Sequence, residues 1–360
     1  MKIYVIGARG FPDVQGGIEN HCAELYSRLI KKGFDVTALT LKRYSRQNYW
    51  NGVNFISVPT VQNKNLQKPI YNFISAIYCI FKKPDIIHVH GLNAGLFIWL
   101  FKLFGLKIVA TYHSMDYIYP KWNAVVKYVL LMSEKQFLLA DYIIVVSKLY
   151  LEHFNHKGRI NNITFLPNGA SNFSKDINDD KILSKWNLKN NEFILTVGRI
   201  TPEKDYITLI NAFNKTNIRD IKLVIVGGYE LQYNYFNSLK KISNENVIFT
   251  GQLEKKELQV LYSNCCLFVL TSIYEGLPTV VLEAMSFNCN ILISNIPSHR
   301  AMGLDEDDYF KVSDRDDLAN KMTKKISHTI KRNYRDILLR SYNWDTIAEE
   351  VAKIYQKIGK

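Results

Sequence analysis

The sequence predicts an α/β protein made of two Rossmann-like domains, each a doubly wound parallel sheet, that face a central cleft. Three observations support this prediction. The chain has 360 residues, which is long for one hydrophobic core and sufficient for two. Short β-branched segments alternate with helical segments, a pattern typical of parallel sheets. The alternation pauses at a turn-forming cluster, residues 167–169 (PNG), and then starts again.

In the first half, a strand at residues 2–7 ends in a glycine-rich turn before a helical pattern at residues 19–32. Further strands are predicted at residues 35–40, 85–89, 107–111 and 141–146, with helices at 71–82 and 125–139. The apolar residues 95–106 are interrupted by Lys102 and fall short of the roughly 20 that span a bilayer, so they predict a buried or interfacial helix.

In the second half, strands are predicted at residues 193–197, 222–226, 247–250, 266–270 and 290–293. A polar segment, residues 313–335, comes before an amphipathic helix at residues 344–358. We therefore expect an N-terminal domain at residues 1–168 and a C-terminal domain at residues 169–342. The helix in residues 343–360 is expected to pack back across the hinge.

Composition restricts the class of protein and its location. Apolar residues make up 47% and charged residues 22%, as in globular proteins. The five cysteines are scattered without metal-ligand spacing, so we expect free thiols and no metal site. The chain enters its first strand directly, without an export-signal pattern. These features together predict a cytoplasmic protein.

The positive charge is concentrated in the first half. Residues 1–170 hold 20 Lys/Arg and 9 Asp/Glu, whereas residues 171–360 hold 26 and 24. An anionic partner is expected, but no nucleic-acid-binding motif is present, which leaves a membrane surface or a phosphate-bearing substrate. Residues 68–83 and 121–135 combine apolar residues with lysines and are candidate membrane-surface helices. The alternative is that both pack inside their domain.

Residues 271–285 (TSIYEGLPTVVLEAM) follow a predicted strand, where open α/β sheets bind ligands. Pro278 suits the first turn of a helix, because its missing N–H needs no partner there. The residues around it would offer backbone N–H groups to a phosphate; they are Gly276, Leu277, Thr279 and Val280.

Two carboxylates flank this helix start. Glu275 lies in the loop before it and Glu283 about a turn and a half inside, a spacing that lets them contact different parts of one elongated ligand. The alternatives are that Glu275 only caps the helix and that Glu283 is a solvated helix residue.

A second polar loop follows the strand at residues 193–197. Arg199 offers a planar fork and Lys204 a point charge, a pair suited to a diphosphate without a metal. The alternative is a surface ion pair with Glu203 or Asp205.

The first half offers weaker signals. Gly16 and Gly17 would let a backbone approach a ligand closely, but GARG is not the dinucleotide-binding pattern GxGxxG, so a nicotinamide dehydrogenase is disfavoured. His113 directly follows a strand and is expected to point at the cleft. His88 and His90 have no third metal ligand near in sequence, so packing and hydrogen bonding are their expected roles.

These segments together resemble the retaining family 4 glycosyltransferases, which have the GT-B fold. The resemblance covers nearly the whole chain; it rests on IGARGFPDVQGGIE, PNG, VGR followed by EK, LVIVGG, FTG and EGLPTVVLEAM. The opening segment is similar to the bacterial subgroup that builds rhamnose-containing and other surface polysaccharides.

The resemblance implies a role for each polar residue of the second half. Arg199 and Lys204 would bind the diphosphate of a nucleotide-sugar donor. Glu275 would contact the donor sugar, and Glu283 would hold the ribose.

In the first half, the resemblance places Gly16 and Gly17 beside the phosphates and His113 in the donor-sugar pocket. The chain departs from many relatives at Ser114, where they have glycine, and at Ala170 and Ser171, where they have Val-Asp. The identity of the donor sugar is therefore not carried over.

The activity implied is metal-independent, retaining transfer of a hexose from a nucleotide diphosphate sugar, with UDP as the expected nucleotide and no other cofactor. The acceptor would be a polysaccharide or a polyprenyl-diphosphate-linked oligosaccharide at the inner face of the cell membrane. The alternatives are a sugar-nucleotide epimerase of the same fold and a catalytically silent partner subunit.

Overall fold

The computed structural model describes residues 1–14, 16–44, 47–61, 63, 66–118, 122–170, 179–216, 218, 220–229, 232–328 and 333–359. These residues form two compact units. Unit 1 consists of Met1–Gly169 and Asn343–Lys360, and unit 2 of Ala170–Tyr342.

Unit 1 is built on a sheet to which the described residues contribute eight strands. In chain order they are β1 (Lys2–Ile6), β2 (Asp35–Leu41), β3 (Tyr49–Trp50), β4 (Val53–Val58), β5 (Ile86–His90), β6 (Ile108–Tyr112), β7 (Tyr142–Val145) and β8 (Ile163–Phe165). Their spatial order is β3-β4-β2-β1-β5-β6-β7-β8, and only β3 runs antiparallel to its neighbour. Strands β5 and β6 are buried along their whole length, as is usual for the inner strands of a parallel sheet.

Helices pack on this sheet. In chain order they are α1 (Gly17–Lys31), α2 (Gln67–Lys82), α3 (Gly91–Gly95), α4 (Ile98–Leu103), α5 (Ala124–Phe137) and α6 (Lys148–His156). Helix α1 is amphipathic: Cys22, Leu25, Tyr26 and Leu29 recur at helical spacing and are fully buried. The helix predicted at residues 95–106 is present but shorter, because α4 covers only Ile98–Leu103 and turns flank it on both sides.

Unit 2 has a parallel sheet with six strands among the described residues. They are β9 (Phe193–Val197), β10 (Lys222–Val226), β11 (Val247–Gly251), β12 (Leu267–Leu270), β13 (Ile291–Ser294) and β14 (Tyr309–Phe310), in the spatial order β11-β10-β9-β12-β13-β14. The helices of this unit are α7 (Asp180–Lys185), α8 (Tyr206–Lys215), α9 (Tyr233–Ile242), α10 (Lys255–Asn264), α11 (Thr279–Ser286), α12 (Pro297–Arg300), α13 (Arg315–Ser327) and α14 (Arg335–Ser341). The predicted fold class of two doubly wound parallel sheets is confirmed.

The last helix, α15 (Trp344–Ile358), lies in unit 1 and packs on α1. Its buried face includes Trp344, Val351 and Tyr355, which join the same hydrophobic core as β1 and α1. The glycine of the PNG segment has a packing role here, since a Cβ on Gly169 would lie 2.5 Å from the Trp344 indole. The last helix of the chain thus completes the core of the first unit.

Within the described ranges, no helix combines the length and the apolar character needed to cross a membrane.

Candidate active site

The polar loops of unit 2 meet where its strand order reverses. The chain moves outward in one direction from β9 to β10 and β11, and in the other from β12 to β13 and β14, so β9 and β12 are neighbours. Ligands of open α/β sheets bind at the carboxyl ends of strands at such a switch point. Arg199 and Lys204 follow β9, and Glu275 follows β12, so the topology brings these two loops to the same edge of the sheet.

Hydrogen bonds join the two loops directly. The Thr271 hydroxyl donates to the Lys204 carbonyl at 2.7 Å, and the Ile273 N–H donates to the Glu203 carbonyl at 2.9 Å. From the next loop, the Ser294 hydroxyl donates to the Ser272 carbonyl at 2.5 Å. Hydrogen bonds among three segments, the loops after β9 and β12 and the end of β13, therefore fix the backbone at this edge of the sheet.

Lys204 and Glu275 form an ion pair in which each side chain is 15% exposed. Ser272 also donates to the Glu275 carboxylate, at 2.8 Å. Burial opposes ionisation of Glu275, but Lys204, together with His299 and the Ser272 hydrogen bond, lowers its pKa below the usual value. Glu275 is thus held as a carboxylate, and it does not cap helix α11.

Among the described contacts, Lys204 pairs with Glu275 and not with Glu203 or Asp205. Asp205 instead caps α8, where it accepts from the Thr208 N–H at 3.3 Å, and it also accepts from the Ser313 hydroxyl at 2.7 Å. Glu203 contributes its backbone carbonyl to the loop contact with Ile273. Lys204 is therefore in an ion pair, as the alternative expected, but its partner is Glu275, which the sequence did not predict. The diphosphate role of Arg199 and Lys204 stays a prediction.

Arg199 is exposed, and among the described residues its guanidinium makes no hydrogen bond or ion pair. The backbone beside it is tightly fixed. The Tyr206 hydroxyl donates to the Gly198 carbonyl at 3.0 Å, and a Cβ on Gly227 would lie 1.9 Å from that same carbonyl oxygen. The guanidinium is therefore available to a ligand while its backbone position is set.

Helix α11 begins at Thr279, and Pro278, predicted to lie in the first turn, is the residue just before it. Within the described part of the chain, four backbone N–H groups at this helix start donate no hydrogen bond; they belong to Gly276, Leu277, Thr279 and Val280. Open N–H groups at the positive end of a helix suit an anion.

Inside the helix, Glu283 accepts a hydrogen bond from the Tyr262 hydroxyl at 2.9 Å. Glu283 is half-buried, so it is neither fully solvated nor sequestered. Tyr262 had no signal in the sequence, because it lies on α10 and its relation to Glu283 depends on tertiary packing.

His299 is a second residue near the site that the sequence did not reveal. It is fully buried on α12, and its Nδ1 lies 2.7 Å from the Ser294 carbonyl, to which it donates. Burial lowers the pKa of His299 to about 4, although the nearby Glu275 carboxylate opposes this. The imidazole is therefore neutral, and its buried Nε2 has no hydrogen-bond partner in the described residues.

Unit 1 has its own switch point, between β1 and β5. Gly7 ends β1 with φ +104°, and a Cβ there would lie 2.1 Å from the His90 carbonyl, so only glycine fits. Gly16 and Gly17 lie at the start of α1, and a Cβ on Gly17 would meet nothing within 4 Å. A Cβ on Gly16, by contrast, would lie 1.9 Å from a carboxylate oxygen of Glu19. The open space at this helix start is therefore at Gly17.

His113 directly follows β6 and belongs to a buried histidine cluster in unit 1. Its Nε2 lies 3.0 Å from the Nδ1 of His90, and its ring centroid lies 4.9 Å from that of His21. His21 in turn binds the Asn168 side-chain oxygen at 2.7 Å. Burial lowers the pKa of His21 to about 4, although the Asn168 hydrogen bond opposes this.

His21 is the third histidine of this cluster, although it lies far from His90 and His113 in the sequence. One ring nitrogen each from His21, His90 and His113 lies within 4.8 Å of the others, a separation at which a metal could be held. His88 is outside this group and instead bonds Thr111 and Tyr355. His88 therefore has the hydrogen-bonding role that the sequence predicted. His90 is also hydrogen-bonded, but in addition it lies close to the imidazoles of His21 and His113.

Two units of this kind occur in solved glycosyltransferase structures. The sucrose-phosphate synthase of Thermosynechococcus elongatus superimposes with a TM-score of 0.85 at 22% identity, covering 99% of this chain and 98% of that one. Anabaena HepE, solved in complex with UDP and glucose, gives a TM-score of 0.82 at 15% identity, with 99% of each chain covered. These similarities define the class of the protein as the GT-B fold.

Family models match both halves of the chain. Residues 15–171 match the model described as Glycosyltransferase Family 4, and residues 178–336 match the model for glycosyl transferases group 1. The chain belongs to the family 4 glycosyltransferases.

Similar proteins carry glycosyltransferase names. An Escherichia coli UDP-Gal:alpha-D-GlcNAc-diphosphoundecaprenol alpha-1,3-galactosyltransferase is 24% identical over 94% of this chain and 93% of its own. The amylovoran biosynthesis glycosyltransferase AmsD of Erwinia amylovora is also 24% identical, over 76% of this chain and 75% of its own.

Proposed function

We propose that this glycosyltransferase moves a hexose, with retention of configuration, from a UDP-sugar to a hydroxyl of a polysaccharide or a lipid-linked oligosaccharide in bacterial surface glycan synthesis. The observation that carries the proposal is the arrangement at the switch point of unit 2. There the Lys204–Glu275 ion pair joins the loop that carries the exposed Arg199 to the loop that leads into the open N–H groups at the start of α11.

These groups fit a diphosphate. Arg199 can bind two phosphate oxygens through its planar fork. The Lys204 ammonium has three N–H donors, so it can hold Glu275 and still bind a phosphate oxygen. The N–H groups of Gly276, Leu277, Thr279 and Val280 add a neutral phosphate site. Together they can neutralise the leaving group without a metal ion, so the proposed reaction is metal-independent.

The remaining residues would position the reactants. Glu275, fixed by Lys204 and Ser272, would contact hydroxyl groups of the donor sugar, and Glu283 would accept from the ribose. The family resemblance implies that His113 would contact the donor sugar. Gly16 and Gly17 would let the phosphates approach the α1 backbone.

The proposed chemistry is a front-face displacement. A bond forms between the acceptor oxygen and the anomeric carbon of the hexose, while the bond from that carbon to the phosphate oxygen breaks. The acceptor proton passes to the departing phosphate oxygen. The protein lowers the barrier by orienting the reactants and stabilising the charge that develops on the diphosphate.

The comparisons support the choice of substrates. The name of the Escherichia coli relative gives a UDP-sugar as its donor and a diphosphoundecaprenol-linked sugar as its acceptor. HepE was also solved with UDP-glucose bound.

The test replaces each cation in turn. Arg199→Ala and Lys204→Ala should each lower turnover at least about tenfold, because each removes a charge-assisted contact worth about 1.5 to 3 kcal/mol. Lys215→Ala and Arg315→Ala, which remove exposed cations paired with Asp316, are the matched controls and should leave turnover unchanged. Near-wild-type rates in both site variants would exclude the site. UDP-sugar incubated without acceptor separates transfer from epimerisation.

We also propose that unit 1 binds the anionic inner surface of the cell membrane, where a lipid-linked acceptor would reside. Three neighbouring helices, α2, α4 and α5, carry large apolar side chains that face solvent. We call this set the apolar surface; it consists of Phe73, Phe81, Trp99, Leu103, Phe104, Val125, Tyr128 and Val129. The most exposed are Phe81 at 81% and Leu103 and Val125 at 71% each. Such concentrated apolar exposure is typical of an interaction site.

The charges around the apolar surface favour anionic lipid. Exposed lysines occur along the same segments, at positions 68, 82, 83, 107 and 135. The acidic residues of this region have local partners: Glu134 is buried and paired with Lys157, Asp85 accepts from the Lys2 N–H, and Asp116 accepts from Ser114. Lys121, the predicted start of the second membrane segment, lies outside the described residues. Apolar side chains beside lysines match the interfacial region of an anionic bilayer.

A further inference from the structure

Three histidines from distant segments of the chain meet near the switch point of unit 1. His21 lies on α1, His90 ends β5 and His113 directly follows β6. All three side chains are buried, and one ring nitrogen from each lies within 4.8 Å of the other two. The sequence predicted no metal site, because it shows no clustered metal-ligand spacing. The fold brings together ligands that are separate in the sequence.

The separation of the three rings matches that of imidazoles around a single ion. Their centroids form a nearly regular triangle with sides of 5.3, 4.9 and 5.3 Å. Three imidazoles that bind zinc tetrahedrally, through nitrogens at about 2.0–2.1 Å, have centroids about 5.2 Å apart. The Nδ1 of His90 and the Nε2 of His113 are 3.0 Å apart, close to the roughly 3.3 Å between nitrogens in that geometry. Small torsional changes would therefore suffice to bind an ion.

The outward nitrogens of two of these rings have the kind of partner that metal-binding histidines use. The Nδ1 of His21 lies 2.7 Å from the side-chain oxygen of Asn168, which can only accept, so Nδ1 carries the proton and Nε2 has a lone pair. The Nε2 of His90 lies 2.5 Å from the Tyr26 hydroxyl. Such contacts fix the orientation of ligand imidazoles. His88 is not a candidate ligand, because both of its nitrogens bind other side chains.

One nitrogen of the group has no partner in the described part of the chain. The Nε2 of His21 is buried there without a hydrogen bond. The hydrogen bond between His90 and His113 joins those two rings to each other and leaves this nitrogen out. Buried polar atoms in proteins almost always have a partner. An ion bound by all three rings would supply the missing one.

We propose that His21, His90 and His113 bind a zinc ion that joins α1 to the ends of β5 and β6. Imidazole nitrogens are ligands that zinc prefers, and three of them leave a fourth position for a water molecule. The ion replaces the proton in the hydrogen bond between His90 and His113, and that proton moves to the other nitrogen of its own ring. His113 is 9% exposed, against 3% for His21 and 1% for His90, so the ion and its water would enter past His113.

This site goes beyond the function proposed above. In that function the groups of unit 2 neutralise the diphosphate without a metal, whereas the zinc ion lies in unit 1 and stabilises its fold. His113 binds the ion through Nε2, which leaves Nδ1 for the sugar contact that the family resemblance implies. The two proposals therefore rest on different residues and can be tested separately.

Metal binding is measured on the full-length protein, stripped with a chelator and then titrated with Co²⁺ as a coloured substitute for Zn²⁺. We expect one equivalent of Co²⁺ to bind with the intense visible absorption of a four-coordinate ion, and one equivalent of Zn²⁺ to displace it. X-ray absorption of the zinc-loaded protein should show only nitrogen and oxygen ligands, at about 2.0–2.1 Å. Thermal unfolding should move to higher temperature when Zn²⁺ is bound, because the ion binds only the folded chain.

Substitutions assign the ion to the three histidines. His21→Gln should abolish binding of the stoichiometric equivalent. Asn168→Ala removes only the outward partner of His21 and should weaken zinc binding by about 10- to 100-fold. Two controls should bind one equivalent like wild type: His299→Gln changes a buried histidine of unit 2, and His156→Gln changes an exposed histidine of α6.

Several results would overturn the proposal. Absence of stoichiometric Co²⁺ and Zn²⁺ binding in wild type would do so without any variant having to fold. A sulfur shell at about 2.3 Å would assign the ion to cysteines instead. Unchanged affinity in both His21→Gln and Asn168→Ala would place it elsewhere. None of these measurements depends on turnover, so a failure of Arg199→Ala and Lys204→Ala to lower the rate would refute the donor site alone.

Discussion

At the residue scale, Lys204 and Glu275 lie 71 residues apart in the chain and form one ion pair. The sequence predicted both residues, because each belongs to a polar loop after an apolar strand. It did not predict their pairing, since pairing depends on β9 and β12 being neighbours in the sheet. The supporting residues Tyr262 and His299 were missed for the same reason, because each acts through a contact between distant segments. Ser272 lies only three residues before Glu275, in the same polar segment.

The two carboxylates of unit 2 should respond differently to neutralisation. Glu275→Gln should lower kcat most, because it removes the charge that fixes Lys204 and the contact with the reacting sugar. Glu283→Gln should mainly weaken nucleotide binding, because the ribose is distant from the reacting carbon. Steady-state kinetics and calorimetric titration with UDP measure the two effects.

The folded state should survive both changes, since a glutamine oxygen at position 283 can still accept from the Tyr262 hydroxyl. Glu254→Gln, which alters an exposed capping carboxylate on α10, is the control. Unchanged affinity for UDP in Glu283→Gln would make the ribose role wrong.

At the scale of elements, the sequence predicted continuously buried strands well, and it predicted the edge hairpin and the shortest strands poorly. Strands β9 and β10 match the predicted bounds, because buried parallel strands are continuous apolar runs. The β3–β4 hairpin was missed although Asn51 and Gly52, both with positive φ, form a recognisable hairpin turn. Strands β8 and β14 have three and two residues, too few to show a pattern.

The sequence predicts only a polar segment where α13 lies, because just one narrow stripe of this helix is buried. Leu318, Ala319 and Met322 lie on that stripe, at helical spacing, and the rest of the helix is rich in charge. Asp314 caps it by accepting from the N–H groups of Asp316 and Asp317. A short helix with one such stripe is difficult to separate from a polar loop by composition.

The helices α2 and α4 should make the protein sediment with anionic liposomes. Binding should require anionic lipid and weaken as salt rises, because lysine attraction is screened while apolar contact is not. Replacing Lys68, Lys82 and Lys83 by Glu should reduce the sedimented fraction, and so should Phe81→Ser with Leu103→Ser.

A charge-matched control places three glutamates in unit 2, at Lys215, Lys256 and Lys324, which are exposed and distant in sequence from these helices. That variant should sediment like wild type. Equal recovery in the supernatant with neutral and anionic vesicles at low salt would refute membrane binding by unit 1.

At the scale of the whole molecule, the four buried histidines of unit 1 should make stability depend on pH. Burial holds their pKa values below the ordinary 6.5, and His21 is at about 4. Between these values the unfolded chain binds more protons than the folded one. The free energy of unfolding should therefore fall as pH falls below about 6.5, by up to about 1.4 kcal/mol per pH unit for each proton.

Denaturant unfolding at intervals between about pH 7.5 and 5 measures this slope. His21→Asn should reduce the slope, whereas His156→Gln, an exposed position on α6, should leave it unchanged. The carboxylate of Glu275, whose pKa is also lowered, adds its own loss only below about pH 4.5. A flat profile between about pH 6.5 and 5 would contradict neutral burial of these histidines.

The placement of α15 in unit 1 has a consequence for synthesis on the ribosome. Unit 2 is one continuous stretch of chain and can close its core as soon as residue 342 has emerged. Unit 1 begins to emerge first, but it lacks Trp344, Val351 and Tyr355 until all of unit 2 has been translated. The apolar face of α1 that packs on α15 stays uncovered during that interval. The first unit to appear is thus the last to finish folding, and it is the one in greater need of chaperones.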